Sequence, residues 1–226
     1  MTHTPHPVRK PLLVKVCGLL TRPALEAALD AGADMVGFVF FGPSPRNVSL
    51  SDAASLAPLA RGRARTVALT VDADDRLIDA ISRAINPDIL QLHGSETPAR
   101  AADLAARTNK EIIKALGVTD RADLAVAATY AQACDYLLLD AKPPKDATRP
   151  GGNGLAFDWD ILDGFDPGKP WLLSGGLTPD NVADALRRTG APGVDVSSGV
   201  ENAPGVKDEA KIAAFLARAR AAVATG

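Results

Sequence analysis

Short apolar runs alternate with amphipathic stretches along the whole chain. Leu12–Val16, Met35–Phe41, Thr66–Val71 and Ile89–Leu92 are the first four runs. Glu111–Ala115, Tyr136–Leu139, Trp171–Leu173 and Gly193–Val196 complete a set of eight. They do not alternate cleanly between apolar and polar positions, as expected of strands buried on both faces. Between them the period changes to that of a helix. Leu77, Ile78, Ile81 and Ile85 share one stripe, as do Val182, Ala185 and Leu186, and again Ile212, Phe215, Leu216 and Ala219. Thr21-Arg-Pro, Ser51-Asp and Thr178-Pro179 read as helix starts, with Pro179 in a first turn. Gly32 and Gly190 read as stops. Eight units in 226 residues give roughly 28 residues each, enough for one strand, one helix and two short loops. The simplest closure of this series is a single (β/α)8 TIM barrel over residues 11–226, after a polar, Pro-rich tail at 1–10. An open doubly wound sheet is the alternative. No internal repeat or dividing linker is visible.

Composition narrows the class. Hydrophobic residues are 46% and charged residues 23% of the chain, with a formal net charge of −2. Those proportions suit a soluble globular protein and exclude disordered, collagen-like and disulfide-scaffold chains. The apolar runs reach about six residues against the ~20 of a membrane helix, and the start carries no apolar leader. A cytoplasmic protein without membrane partners is expected, as a monomer or homodimer. A near-neutral balance offers no basic footprint for nucleic acid. Of the three histidines, His3 and His6 fall in the tail, so a multi-histidine metal site is not expected, and no cofactor is implied.

In a barrel the chemistry sits at the carboxyl ends of the strands. Those ends carry Cys17-Gly18, Gly42-Pro-Ser-Pro-Arg46, Gln91-Leu-His93, Asp140, Ser174-Gly-Gly176 and Ser197-Ser-Gly199. Gly175, Gly176, Ser197, Ser198 and Gly199 read as a phosphate cradle, because glycines let backbone N–H groups approach an anion. Plain turn glycines are the bland alternative. Cys17 is either a small buried hydrophobe or a thiolate base or nucleophile, whereas Cys134, at the opposite end of its strand, reads as packing. Asp140, closing an apolar run, is partly withdrawn from water and suited to donate a proton, or else a cap. Arg46 could aim a guanidinium at a carboxylate, or lie on the surface. Gln91, His93 and Asp195 face the same rim as candidate substrate contacts. Lys15 and Lys114, inside strands, read as layer-filling polar residues rather than Schiff-base lysines. The long irregular stretch 141–154 is either functional or an ordinary surface loop.

Taken together, these segments resemble the phosphoribosylanthranilate isomerase family. The resemblance rests on Lys15-Val-Cys-Gly-Leu19, Ala31-Gly-Ala-Asp34, Val36-Gly-Phe-Val-Phe40, Ser44-Pro-Arg46 and Leu90-Gln-Leu-His-Gly94. It continues through Leu138-Leu-Asp140, Gly151-Gly-Asn-Gly154, Phe157-Asp-Trp159, Leu173-Ser-Gly-Gly-Leu-Thr-Pro-Asp-Asn181 and Gly193-Val-Asp-Val-Ser-Ser-Gly-Val-Glu201. It implies a cofactor-free barrel that converts an aminoaldose phosphate to a 1-deoxyketose phosphate by an Amadori rearrangement. It implies Cys17 as general base, Asp140 as general acid and Arg46 on the anthranilate carboxylate, with the last two loops on the phosphate. Asn153, Leu155 and Ala156 depart from the family's usual Gly-Gly-Thr-Gly-Lys pattern, which bears on how this loop covers substrate. The histidine-pathway aminoaldose isomerases, which use a carboxylate where Cys17 stands, are the nearest rival. A metal-dependent epimerase, a Schiff-base aldolase and a catalytically dead binding barrel are the others.

Overall fold

A computed structural model describes residues 11–130, 132–142, 151 and 157–224. Eight strands are β1 (Leu13–Cys17), β2 (Met35–Phe40), β3 (Arg65–Thr70), β4 (Ile89–Leu92), β5 (Glu111–Val118), β6 (Tyr136–Ala141), β7 (Trp171–Leu173) and β8 (Gly193–Val196). They pair in sequence order into a closed barrel, which removes the open-sheet alternative. Closure is parallel, with Leu13 opposite Gly193 and Lys15 opposite Asp195. The expected tail, Met1–Lys10, lies outside the described residues.

The outer layer departs from eight α-helices. Among the described residues α-helices are α1 (Arg22–Asp30), α2 (Leu50–Leu56), α3 (Asp75–Ile85), α4 (Pro98–Thr108), α5 (Val182–Thr189) and α6 (Glu209–Ala224). Arg121–Tyr130, between β5 and β6, is wound as a 3-10 helix. There Asp123 Oδ2 accepts from the Thr119 and Asp120 N–H groups, and Asp120 Oδ1 accepts from Ala122 N–H. Such local bonds compete with the α-helical ladder. Another 3-10 turn, Trp159–Leu162, precedes β7. The start of α2 is capped by Ser49, not Ser51, because the Ser49 side chain accepts from Asp52 N–H. The turn Thr178–Asn181 lies before α5 rather than inside it. After β8 a short hairpin, β9 (Glu201–Ala203) and β10 (Val206–Lys207), interrupts the run to α6. No helix among the described residues is long and apolar enough to cross a membrane.

Two apolar shells sandwich the sheet. Met35, Val67, Ile89, Ile113, Leu138 and Leu172 fill the lower barrel interior. A larger shell lies between strands and helices, where the stripes foreseen on α3, α5 and α6 are buried. Cys134 packs in it, its thiol donating to Tyr130 O at 3.2 Å.

The amino-terminal face carries a repeat that the sequence did not reveal. Asp34, Asp88 and Asp135 each immediately precede an even-numbered strand. Each donates its backbone N–H to a carbonyl of the preceding strand and takes that residue's N–H on its carboxylate. The partners are Val14, Thr66 and Ile112, at 2.7, 2.7 and 2.8 Å to the carboxylate. Each carboxylate thereby satisfies a strand N–H that has no ladder partner. Asp88→Ala is expected to lower stability by about 1–3 kcal/mol, the range for orphaning a buried donor, while leaving kcat unchanged. Chemical denaturation checks the first expectation, and a denaturation midpoint equal to wild type would refute the stitch.

Candidate active site

The carboxyl ends of the strands surround a cavity of about 680 Å³, counting space open to solvent. Its walls include Cys17, Arg46, His93, Asp140, Gly175, Gly176, Asp195, Ser197 and Ser198. Nine of the eleven residues singled out from the sequence therefore meet at one mouth. Gln91 and Gly199 do not line it, and each has a different place in the structure.

On β1, alternation turns Lys15 and Cys17 into the barrel. Lys15 is completely buried, and its ammonium donates to Asp195 Oδ1 at 2.8 Å. Burial alone would lower its pKa, but Asp195 and Cys17 overrule this and hold it above the ordinary lysine range. Lys15 is thus a polar member of an interior layer. Above it, burial pushes the Cys17 thiol up, while Lys15 and Lys207 pull in the opposite direction. Near neutral pH Cys17 is therefore mainly a thiol, with two cations nearby.

On the other side, β6 runs two residues beyond its expected end and carries Asp140 into the mouth. His93 Nε2 lies 3.4 Å from Asp140 Oδ2. Beneath it, Gln91 Nε2 lies 3.2 Å from His93 Nδ1. With the Gln91 amide donating, the ring proton sits on Nε2 and points at Asp140. Gln91 is completely buried, so it orients His93 rather than facing the cavity. A Cβ on Gly151 would fall 2.6 Å from both His93 Nε2 and Asp140 Oδ2, so only glycine lets that segment lie so close.

The loop after β4 is fixed from behind. Glu96 Oε2 accepts from Lys114 Nζ at 2.8 Å and from Gly94 N–H at 2.9 Å, and Oε1 accepts from Asp72 N–H at 2.8 Å. Lys114 also donates to Gly94 O at 2.6 Å. Like Lys15, Lys114 is a paired, buried cation. It lies behind the loop that begins with His93.

The loops after β7 and β8 meet face to face. Gly175 has φ +86, a left-handed conformation that favours glycine. The Asn181 side chain holds this loop by donating to Gly176 O at 2.9 Å and accepting from Thr178 N–H at 2.8 Å. A Cβ on Gly199 would fall 1.8 Å from Leu177 O. Gly199 therefore permits the two loops to approach, while Ser197 and Ser198 reach the wall.

Arg46 is not an open fork. Its Nε and Nη2 donate to Glu201 Oε1 and Oε2 at 2.7 and 2.8 Å, and the pair is buried. Lys207 Nζ donates to the same Glu201 Oε1 at 2.8 Å and to Ser197 O and Oγ at 2.8 and 3.2 Å. Burial would raise the Glu201 carboxyl, but Arg46 and Lys207 hold it below the usual range. Burial lowers Lys207, against the pull of Glu201. Sequence reasoning missed Lys207 and gave Glu201 no role in the site. The available signal was the Pro204-Gly205 turn between Glu201 and Lys207, a hairpin mark. Asn153, Leu155 and Ala156 lie outside the described residues.

The similarities to known proteins agree with this geometry. A profile of the N-(5'-phosphoribosyl)anthranilate (PRA) isomerase family matches residues 14–218. The chain is 59% identical over 210 residues to the N-(5'-phosphoribosyl)anthranilate isomerase of Bradyrhizobium diazoefficiens, covering 93% of this chain and 94% of that protein. Phosphoribosyl anthranilate isomerase from Thermotoga maritima superposes with a TM-score of 0.84 at 34% identity, covering 93% of this chain and 99% of that one. A crystal structure of a phosphoribosyl anthranilate isomerase with reduced 1-(o-carboxyphenylamino)-1-deoxyribulose 5-phosphate gives 0.81 at 31%, with the same coverage.

The raised Cys17 thiol has a direct chemical consequence. Iodoacetamide should label Cys17 at roughly pH 8 more slowly than free cysteine, with the rate climbing as pH rises. Mass spectrometry of the alkylated protein measures this. Labelling as fast as free cysteine would mean that Lys15 and Lys207 outweigh burial.

Proposed function

The chain belongs to the N-(5'-phosphoribosyl)anthranilate isomerase family, and we propose that Cys17 and Asp140 carry the proton transfers of its reaction. The enzyme catalyses the Amadori rearrangement of N-(5-phosphoribosyl)anthranilate to 1-(2-carboxyphenylamino)-1-deoxyribulose 5-phosphate, a step of tryptophan biosynthesis. The observation that supports our assignment is that one acid and one thiol face a single cavity from β6 and β1, between two cationic or N–H-rich ends.

Asp140 protonates the ribose ring oxygen, and the ring opens to a Schiff base at C1. Cys17 then takes the proton from C2, giving an enolamine that tautomerises to the ketone. The nitrogen lone pair drives the C1–O cleavage, and the remaining changes are proton transfers, which positioned side chains can supply. Cys17 starts as a thiol, so the base forms when that proton leaves to solvent water, with the Lys15 and Lys207 ammonium groups stabilising the thiolate. His93, held in one tautomer by Gln91, keeps the Asp140 carboxyl aimed at the mouth. The Gly175–Gly176 and Ser197–Ser198 backbone holds the phosphate at one end. At the other, Arg46 with its cationic cluster receives the anthranilate carboxylate. Asp195 acts from below as the partner of Lys15 and completes the wall beneath the sugar. The enzyme works in the cytoplasm, as a monomer or homodimer, with residues 11–226 as its single catalytic domain.

Turnover of freshly made N-(5-phosphoribosyl)anthranilate, followed by loss of its anthranilate fluorescence with EDTA present, tests the assignment. Asp140→Asn and Cys17→Ala should each lower kcat by about 10²–10⁴ with KM little changed. A wild-type rate in either variant would remove that residue from the chemistry. Arg46→Ala should act differently, raising KM by about tenfold or more. An unchanged KM would separate Arg46 from the carboxylate.

A further inference from the structure

The hairpin after β8 brings charge into the site from outside the eight strand ends. Lys207, on β10, has a side chain only 1% exposed. Its ammonium donates one hydrogen bond to Glu201 Oε1 and two to Ser197. Ser197 in turn donates from its hydroxyl to Cys17 O at 3.0 Å. Glu201 Oε1 also accepts from Arg46 Nε. One chain of bonds therefore runs from the Arg46 loop, through Glu201 and Lys207, to the turn after β8 and the end of β1. The hairpin is seated on the Arg46 loop as well. A Cβ on Gly205 would fall 2.4 Å from Pro45 O, and Gly205 sits at φ +82.

Two cations meet one carboxylate in this chain of bonds: Arg46 and Lys207 both pair with Glu201. Desolvating an ion is costly, and a buried pair is relieved only by its partner. A second cation on an already paired carboxylate is thus a cost that an anion in the cavity would offset. A neutral side chain of similar length would fill the same space without that cost, so packing does not account for an ammonium here.

We propose that Lys207 is a positioning residue that joins the two anion-binding ends of the cavity and adds its positive charge to them. This rests on the reading of Arg46 and the Ser197–Ser198 turn as those two ends. Lys207 does not line the cavity, so it acts through Ser197 and through the Glu201–Arg46 pair. Its charge favours a substrate with a carboxylate at one end and a phosphate at the other over singly charged or neutral analogues.

The test is a calorimetric titration of inorganic phosphate into the wild type and Lys207→Met, beside kcat and KM for N-(5-phosphoribosyl)anthranilate. Lys207→Met is expected to weaken phosphate binding about tenfold and to raise KM by a similar factor, with kcat falling as well because a cation beside the Cys17 thiol is lost. A purely structural role would lower the Tm and leave phosphate affinity where it was. That result in folded Lys207→Met overturns the proposal, as does a wild type that binds no phosphate. Should Lys207→Met fail to fold, Glu201→Gln carries the test. It removes one negative charge from beside both cations, so phosphate should bind at least as tightly as to wild type, and weaker binding overturns the proposal. The titration requires no turnover. Weakened phosphate binding in Lys207→Met with no wild-type isomerase activity would reject the assigned reaction and keep the role of Lys207. Activity with unchanged phosphate affinity would do the reverse.

Discussion

Parallel strands leave unpaired N–H and C=O groups at both edges of a sheet, and closing β8 onto β1 removes those edges. The register of that closure, Leu13 on Gly193 through Val16 on Val196, also fixes what lies inside. It sets Lys15 opposite Asp195, where the two are drawn into one buried ion pair. It brings Ser197 beside the end of β1, where its hydroxyl bonds Cys17 O. With all eight strands running the same way, every carboxyl end opens on one rim. Groups as distant in sequence as Cys17 and Asp195 thereby share a cavity.

Along the barrel axis the interior changes from apolar to charged. Met35, Val67, Ile89 and Leu172 close the lower part with side chains that ask for no partner. Above them Lys15, Gln91 and Asp195 are polar and almost without solvent, so each must find its bond inside the protein. That requirement leaves them few orientations. Asp195 pairs with Lys15, Gln91 bonds His93, and His93 faces Asp140. Groups fixed before substrate arrives need little reorganisation when charge moves, which is the arrangement that electrostatic catalysis exploits.

Stability and chemistry are divided between the two faces by the same means. At the amino-terminal face Asp34, Asp88 and Asp135 bind strand N–H groups and hold neighbouring strands in register. At the other face Glu96, Asn181 and Glu201 bind loops, and those loops carry His93, the Gly175–Gly176 turn and Arg46. In both places a carboxylate or amide satisfies several donors at once. At one face what it holds is a strand, and at the other a functional group.

The order of elements was legible in the sequence because a strand buried on both faces must be apolar throughout and a packed helix must carry a stripe. Those local requirements set out the eight strands and the stripes of α3, α5 and α6. The same reasoning found the strand-end residues, since only a few residue types can move protons or hold an anion. What it could not reach were relations between residues far apart in the chain. Arg46 looked like an open fork because Glu201 is 155 positions away, and Gln91 looked like a substrate contact because nothing local shows that it lies under His93. Nothing local shows that a Cβ on Gly199 would strike Leu177 O on another loop. The 3-10 winding after β5 escaped too, because it depends on which carboxylates reach which N–H groups. The sequence by itself determined the fold class and the inventory of reactive groups, both of which follow from local pattern and intrinsic chemistry. Only the tertiary structure decided which buried charges neutralise one another, because that depends on distances of a few ångströms set by barrel closure.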